Sequence, residues 1–140
     1  MTRKEIVALF DRLQDATREA DVATLTDLHA EDGVVESLMA GKIMGRAAIG
    51  KVYQAWFAAF PDVVSTTDAL LIDRNRAALV STMTGTDIGG FMGLSPTGKP
   101  FRLPMVRIYA LENGCIQHER RIYDFTGLLV QIGVLKARPA

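Results

Sequence analysis

The strongest constraint on the fold of this chain is the pair Asn113-Gly114, which lies between two runs of alternating polar and apolar residues. Asn-Gly in this setting predicts a β-hairpin, because a two-residue type I′ turn needs positive φ at both central positions. The second run ends on a carboxylate, Asp124. A sheet must therefore form the C-terminal part of the fold, and the turn sets which residues pair across it.

The register of this hairpin predicts the surroundings of Asp124. We expect Glu112 to pair with Cys115 and the pairing to continue without interruption. The resulting cross-strand pairs are Arg107 with Arg120, Met105 with Ile122, and Leu103 with Asp124. Because cross-strand partners share one face of the sheet, Asp124 is expected to lie among three apolar side chains. A carboxyl group in such surroundings is a candidate functional group.

Composition limits the classes of protein to which the chain can belong. Its 140 residues are 49% hydrophobic, which is enough for the core of one domain, 1–140. Sixteen basic residues balance sixteen acidic ones, so we expect no nucleic-acid partner. No apolar run approaches the ~20 residues of a membrane span, and the N-terminus lacks the apolar stretch of a signal peptide. We therefore expect no membrane partner and a cytoplasmic location.

Hydrophobic periodicity predicts three helices in the first half of the chain. The first begins at residues 2–5, which have the spacing of a capping box. The second is capped by Asp21 and ends at the turn 31–33, and the third runs over 46–60 until Pro61 stops it. The single cysteine, Cys115, excludes an internal disulfide and a cysteine-rich metal site.

Extended segments dominate the second half. The predicted strands are a short one at 34–37, a brief piece between Gly41 and Gly45, two at 63–72 and 77–87, and the two strands of the hairpin. Residues 88–100 form a glycine- and proline-rich loop, long enough to suggest a functional lid. The order of elements predicts an α+β fold with helices grouped on one face of a curved, mainly antiparallel sheet.

Six segments spread along the chain give it a family resemblance. They are 28–33 (LHAEDG), 45–49 (GRAAI), 59–62 (AFPD), 96–99 (PTGK), 112–116 (ENGCI) and Tyr123-Asp124 followed by 128–133 (LLVQIG). Together they resemble the SnoaL-like polyketide cyclases, within the superfamily that also holds nuclear transport factor 2 and ketosteroid isomerase. The resemblance implies the cone-shaped α+β fold of that superfamily and a homodimer. The outer sheet face, with Val106, Ile108 and Tyr123, is apolar enough to need covering.

The same resemblance implies cyclase or isomerase chemistry on a hydrophobic, carbonyl-bearing ligand of polyketide or steroid type. The aldol cyclases of the family use an aspartate near the end of the last long strand as acid and base, and Asp124 matches that position. An apolar cone would raise the pKa of such a carboxyl group and let it remove a proton next to a carbonyl. This chemistry needs no metal and no cofactor.

Three alternatives stay open. Epoxide-hydrolase relatives need two aspartates bridged by an arginine; Arg107 can be the bridge, but Met105 and Ile122 stand at the acid positions. Isomerase relatives need a base on the short strand, where Ser37 stands. The third alternative is a non-catalytic small-molecule-binding domain on the same scaffold.

The candidate ligand-binding residues come from the aromatic face of the third helix, from the hairpin and from the end of the second helix. They are Tyr53, Trp56, Phe60, Leu103, Met105, Arg107, Tyr109, Ile122 and His29. The predicted neighbours Arg107 and Arg120 carry like charges, which is unfavourable unless an acid joins them, each reaches different solvent, or they bind an anionic ligand.

Overall fold

The computed structural model describes residues 1–136 and confirms the α+β class. Its helices are α1 Arg3–Arg18, α2 Val22–Asp27, α3 Arg46–Ala59 and α4 Phe125–Gln131. Its strands are β1 His29–Ser37, β2 Gly41–Met44, β3 Val64–Asp73, β4 Arg76–Thr86, β5 Pro100–Glu112 and β6 Cys115–Tyr123. The three N-terminal helices are present as predicted, and a fourth short helix follows the last strand.

The helix ends follow local side-chain chemistry. Thr2 and Glu5 form a capping box at α1, in which each side chain accepts from the other residue's backbone N–H. Asp21 caps α2 and Asp124 caps α4 in the same way, each accepting from a backbone N–H three residues later. Helix α3 ends before Pro61, which cannot donate the next helical hydrogen bond.

One six-stranded sheet, in the order β2-β1-β6-β5-β4-β3, carries the helices. All neighbouring strands are antiparallel except β1 and β6, so the predicted mainly antiparallel sheet is confirmed. The boundary of α2 was predicted wrongly, because the segment 31–33 lies inside β1 rather than in a turn. Strand β1 already starts at His29, where pairing with β6 begins, and its register shifts before Val34.

The predicted hairpin is present, but its register is wrong beyond the first two pairs. Asn113 and Gly114 have φ of 51° and 77°, as a type I′ turn requires, and Glu112 pairs with Cys115. A bulge then shifts the pairing by one residue between Ala110 and Leu111. Side chains alternate in a strand, so this single extra residue reverses which residues of β6 face inward.

Beyond the bulge, the inward-facing pairs differ from those expected. The pairs are Tyr109 with Glu119, Arg107 with Arg121, and Met105 with Tyr123. Ile122 faces outward with 42% of its surface exposed. Tyr123, expected on the outer face, is instead buried.

The buried apolar side chains form two clusters on the helix-covered side of the sheet. The first surrounds α1, where the rings of Phe10 and Tyr109 meet edge to face at 4.9 Å. The second surrounds Phe60, at the end of α3, and includes Leu103. Residues of both clusters line the cavity described below, so the cavity lies where the two clusters meet.

Hydrogen bonds and core packing hold the loop between β4 and β5 in place. Asp87 is fully buried, and its carboxylate accepts from the backbone N–H groups of Gly90 and Thr97 at 3.1 and 3.0 Å. Phe91 inserts into the second cluster. A lid function for this loop stays a prediction.

Candidate active site

A narrow cavity opens between α3 and the sheet, with a volume of about 30 Å³. Its wall is mostly apolar and aromatic, with two guanidinium groups on the β5–β6 side. The lining residues are Thr17, Ser37, Met39, Val52, Tyr53, Trp56, Phe57, Val63, Met83, Met105, Arg107, Arg121 and Tyr123. The lining contains two cations and no aspartate or glutamate.

The two arginines belong to a buried charge cluster centred on Glu119. The Glu119 carboxylate is fully buried, and its Oε2 accepts from Nε and Nη2 of Arg121 at 3.2 and 3.0 Å. Nη1 of Arg107 lies 3.9 Å from Oε1 of the same carboxylate. Because Arg107 and Arg121 are cross-strand partners and Glu119 is two residues before Arg121, all three side chains share one face. One carboxylate therefore lies between two guanidinium groups.

His29 approaches the same carboxylate from β1. Its ring is fully buried, and Nδ1 lies 2.8 Å from the backbone oxygen of Leu25, to which it can only donate. Nε2 lies 3.8 Å from Oε2 of Glu119 and has no hydrogen-bond partner. His29 thus lies next to the cluster at the start of β1, and it is not among the residues that line the cavity.

The cluster fixes the protonation state of its members. Burial alone would raise the pKa of the Glu119 carboxyl. The charges of Arg121 and Arg107 outweigh burial, with a further contribution from His29, and hold this pKa well below its usual range. Burial, together with the charge of Glu119, raises the pKa of Tyr53 to about 12. At neutral pH Glu119 is therefore an ionised counter-ion and a weak base, and the Tyr53 hydroxyl keeps its proton.

Aromatic rings of α3 form the wall opposite the charges. The Arg121 guanidinium carbon lies 5.0 Å from the centre of the Tyr53 ring, a cation–π distance. Trp56 packs edge to face on Phe60 at 4.9 Å. This is the wide aromatic helix face that the sequence indicated; one edge of it packs in the core and the other lines the cavity.

The structure brings together four of the predicted ligand-binding residues at the cavity, namely Tyr53, Trp56, Met105 and Arg107. Four others are buried behind the lining: His29, Phe60, Leu103 and Tyr109. Ile122 was predicted wrongly, because the β-bulge turns it to the outer face.

Asp124 does not lie in the predicted apolar surroundings. Its side chain is exposed, and Oδ1 accepts from the backbone N–H of Gly127 at 2.8 Å as the cap of α4. It is not among the residues that line the cavity. The register that paired Asp124 with Leu103 is wrong because of the same β-bulge that turns Ile122 outward. Its role as an acid and base stays a prediction, without support from its position.

Sequence reasoning missed Glu119, Arg121 and Tyr123. The signal was present, because these three residues alternate and share one parity in β6. Uninterrupted pairing places Arg120 and Ile122 on the inner face, so these three residues were assigned to the outer face. The predicted pairing of Arg107 with Arg120 is wrong, because Arg120 is exposed and pairs with Ile108. The acid Glu119 lies instead between Arg107 and Arg121.

Two further structural findings bear on the site. Among residues 1–136, no group of three or more histidine, cysteine, aspartate or glutamate side chains is placed to hold a metal ion. No helix in this part of the chain is both long and apolar enough to cross a membrane.

A family model described as SnoaL-like polyketide cyclase matches residues 7–132. The chain belongs to the SnoaL-like polyketide cyclase family. Comparison with curated protein sequences gave no significant match. Similarity to solved structures confirms the predicted cone-shaped fold. Among these structures are proteins described as SnoaL-like, as having a ketosteroid-isomerase-like fold and as NTF2-like.

Three solved structures show how far the similarity extends. AclR of Streptomyces galilaeus, described as a proposed hydroxylase, has a TM-score of 0.85 and 25% identity over 99% of this SnoaL-like chain and 87% of its own. IdmH of Streptomyces antibioticus, a proposed polyketide cyclase, has a TM-score of 0.77 and 28% identity over 91% and 97%. TsrD of Streptomyces laurentii has a TM-score of 0.85 and 21% identity over 96% and 99%, which shows the fold alone.

Proposed function

We propose that this protein is a cofactor-independent enzyme that catalyses ring closure or isomerisation of an apolar, carbonyl-bearing ligand through an enolate. The observation that carries the proposal is the pair of guanidinium groups, Arg107 and Arg121, on one side of a cavity whose wall is otherwise mostly apolar and aromatic. A positive charge in a largely buried site stabilises a developing oxyanion more than the same charge in bulk solvent does.

The proposed reaction begins at a carbon next to a carbonyl group. Its C–H bond breaks, the proton passes to a water molecule, and the electron pair forms an enolate whose oxygen accepts hydrogen bonds from the guanidinium groups. In ring closure, the enolate carbon attacks a second carbonyl carbon, and the resulting alkoxide takes a proton from water. In isomerisation, the enolate is instead reprotonated at another carbon.

The protein contributes electrostatic stabilisation in this scheme rather than a strong base. Glu119 is a weak base because its pKa lies well below the usual range. Asp124 is exposed and already holds the start of α4. A ligand whose carbon acid is activated by neighbouring groups fits such a site best, because it needs little help in losing its proton.

Two considerations bear on the alternatives. The family and its relative IdmH, a proposed polyketide cyclase, favour cyclase chemistry. The cavity, at about 30 Å³, is smaller than ligand sites commonly are, 300–1,000 Å³, so an enzyme and a non-catalytic binding domain would both need it to widen. Met39, Met83 and Met105 line the cavity with flexible side chains that can move aside for a larger ligand. An epoxide-hydrolase reaction has less support, because no aspartate lines the cavity.

Proton exchange on a model ketone tests the proposed function without knowledge of the natural substrate. We expect the protein to accelerate the exchange of deuterium from solvent into 2-tetralone, an apolar ketone with activated C–H bonds, measured by NMR. Asp124→Asn should exchange at the wild-type rate, because asparagine also caps helices well. No acceleration by the wild-type protein would refute the enolate mechanism, and a large loss in Asp124→Asn would return the role of acid and base to that residue.

We also propose a homodimer formed through the outer face of the sheet, and a cytoplasmic location. Ile108 and Ile122 face outward on neighbouring strands and are 36% and 42% exposed. Light scattering after size-exclusion chromatography should give the mass of two chains for the wild type. The double variant Ile108→Lys, Ile122→Lys should give the mass of one chain. A wild-type monomer at micromolar concentration would contradict this proposal.

A further inference from the structure

The buried charge cluster carries more positive than negative charge. Two guanidinium groups, Arg107 and Arg121, share the single carboxylate of Glu119. Arg107 is only 3% exposed and Arg121 has 11% of its side chain exposed, so water screens neither charge fully. Their neighbour His29 can add positive charge but cannot remove it. The cluster is therefore one negative charge short of neutrality. Burying such an unbalanced positive charge is unfavourable.

The two arginines do not share the carboxylate equally. Arg121 makes two hydrogen bonds to Glu119, whereas Arg107 reaches it only at 3.9 Å, beyond hydrogen-bond length. The surplus charge therefore belongs to Arg107. Its Nε is buried and has no hydrogen-bond partner, although buried donors are almost always paired.

Two further buried donors on cavity-lining residues also lack partners. They are the hydroxyl group of Tyr53 and Nε1 of Trp56. Burial and the charge of Glu119 keep the Tyr53 hydroxyl protonated at neutral pH, with a pKa of about 12, so it can donate. The indole Nε1 and the guanidinium Nε can only donate. Three donors on residues that line the cavity thus lack acceptors.

We propose that the ligand of this cavity is itself an anion, carrying a carboxylate beside its apolar body, and that Arg107 is the residue that selects it. A carboxylate supplies the missing negative charge and has two oxygens with several acceptor sites for the three donors. Its planar geometry matches that of a guanidinium group. The aromatic wall formed by Tyr53 and Trp56 holds the apolar body. The inference rests on the proposed function in placing the ligand in this cavity, but it concerns binding in the ground state and needs no turnover.

Three small probes that differ in charge but share one ring test the inference. They are benzoate, benzyl alcohol and benzylamine, which are anionic, neutral and cationic at neutral pH. Trp56 is the only tryptophan of the chain and lines the cavity, so its fluorescence reports binding there. We expect benzoate to bind at least about ten times more tightly than either other probe, a ratio that corresponds to one well-placed charge interaction.

Three variants of the full chain assign the preference to Arg107. Arg107→Met should abolish the preference for benzoate, and Arg107→Lys should keep most of it because the charge remains. The matched control is Arg120→Met, which removes the same charge from an exposed position on the same sheet. It should leave the preference unchanged.

The result that would overturn the inference is equally specific. Benzyl alcohol or benzylamine binding as tightly as benzoate would refute an anionic ligand, as would the absence of benzoate binding at millimolar concentration. A preference for benzoate that survives in Arg107→Met would refute the role of Arg107. The two claims can fail independently. If benzoate binds selectively but exchange into the neutral ketone is not accelerated, the proposed function is refuted and the inference about the ligand's charge stands.

Discussion

Glu119→Gln should lower the free energy of unfolding by about 3–5 kcal/mol, the usual effect of removing one partner from a buried ion pair. The Glu119 side chain is fully buried and holds Arg121 by two hydrogen bonds. Glutamine has nearly the same shape, but it leaves the two buried guanidinium groups without any counter-charge. Urea unfolding at neutral pH and one fixed protein concentration measures the change.

The matched control for this substitution is Glu36→Gln. Glu36 is also a strand residue paired with a histidine, at 3.0 Å from His118, but 44% of its side chain is exposed. Its loss should change stability by no more than about 0.5 kcal/mol, as is usual for surface substitutions. Equal effects of the two substitutions would show that the cluster around Glu119 does not stabilise the fold.

Lowering the pH should reduce the free energy of unfolding of the wild type, because protonation removes the charge of Glu119 as Glu119→Gln does. The folded-state pKa of Glu119 lies below its unfolded value of about 4.3, so its stabilisation is complete above that value and is lost as the pH falls through the folded-state pKa. The wild type should therefore lose more stability than Glu119→Gln between pH 5 and strongly acidic pH. A parallel loss in both proteins would contradict the lowered pKa.

The sequence predicts the elements of this fold better than their register. The turn Asn113-Gly114, the aromatic face of α3 and the stop at Pro61 are local signals, and the structure contains all three. The β-bulge near Ala110 has no comparable local signal. It depends on how β6 fits between β5 and β1, which is a property of the assembled sheet.

This difference explains which site residues could be found. Tyr53 and Trp56 follow from helical periodicity, which no distant contact alters. The inward position of Glu119 and Arg121 depends on the bulge, and a shift of one residue exchanges them for Arg120 and Ile122. The charge cluster therefore could not be located until the pairing of β5 with β6 was known.

Arg107→Met should separate catalysis from stability. The substitution leaves Glu119 paired with Arg121, so the buried cluster becomes neutral rather than unbalanced. We expect the free energy of unfolding to stay within about 1 kcal/mol of the wild type or to increase, because removing an unmatched buried charge relieves a desolvation penalty. Urea unfolding checks this half of the prediction.

The same variant should exchange deuterium into 2-tetralone about 10²–10³ times more slowly, the usual effect of losing one donor to an oxyanion. The ketone is neutral and only its enolate carries charge, so kcat should fall while KM stays nearly constant. Arg121→Met is the comparison, because it leaves the buried Glu119 without its hydrogen-bonded partner and should destabilise the fold. If Arg107→Met instead unfolded the protein as readily as Arg121→Met, Arg107 would be a structural counter-ion and not the surplus charge of the cavity.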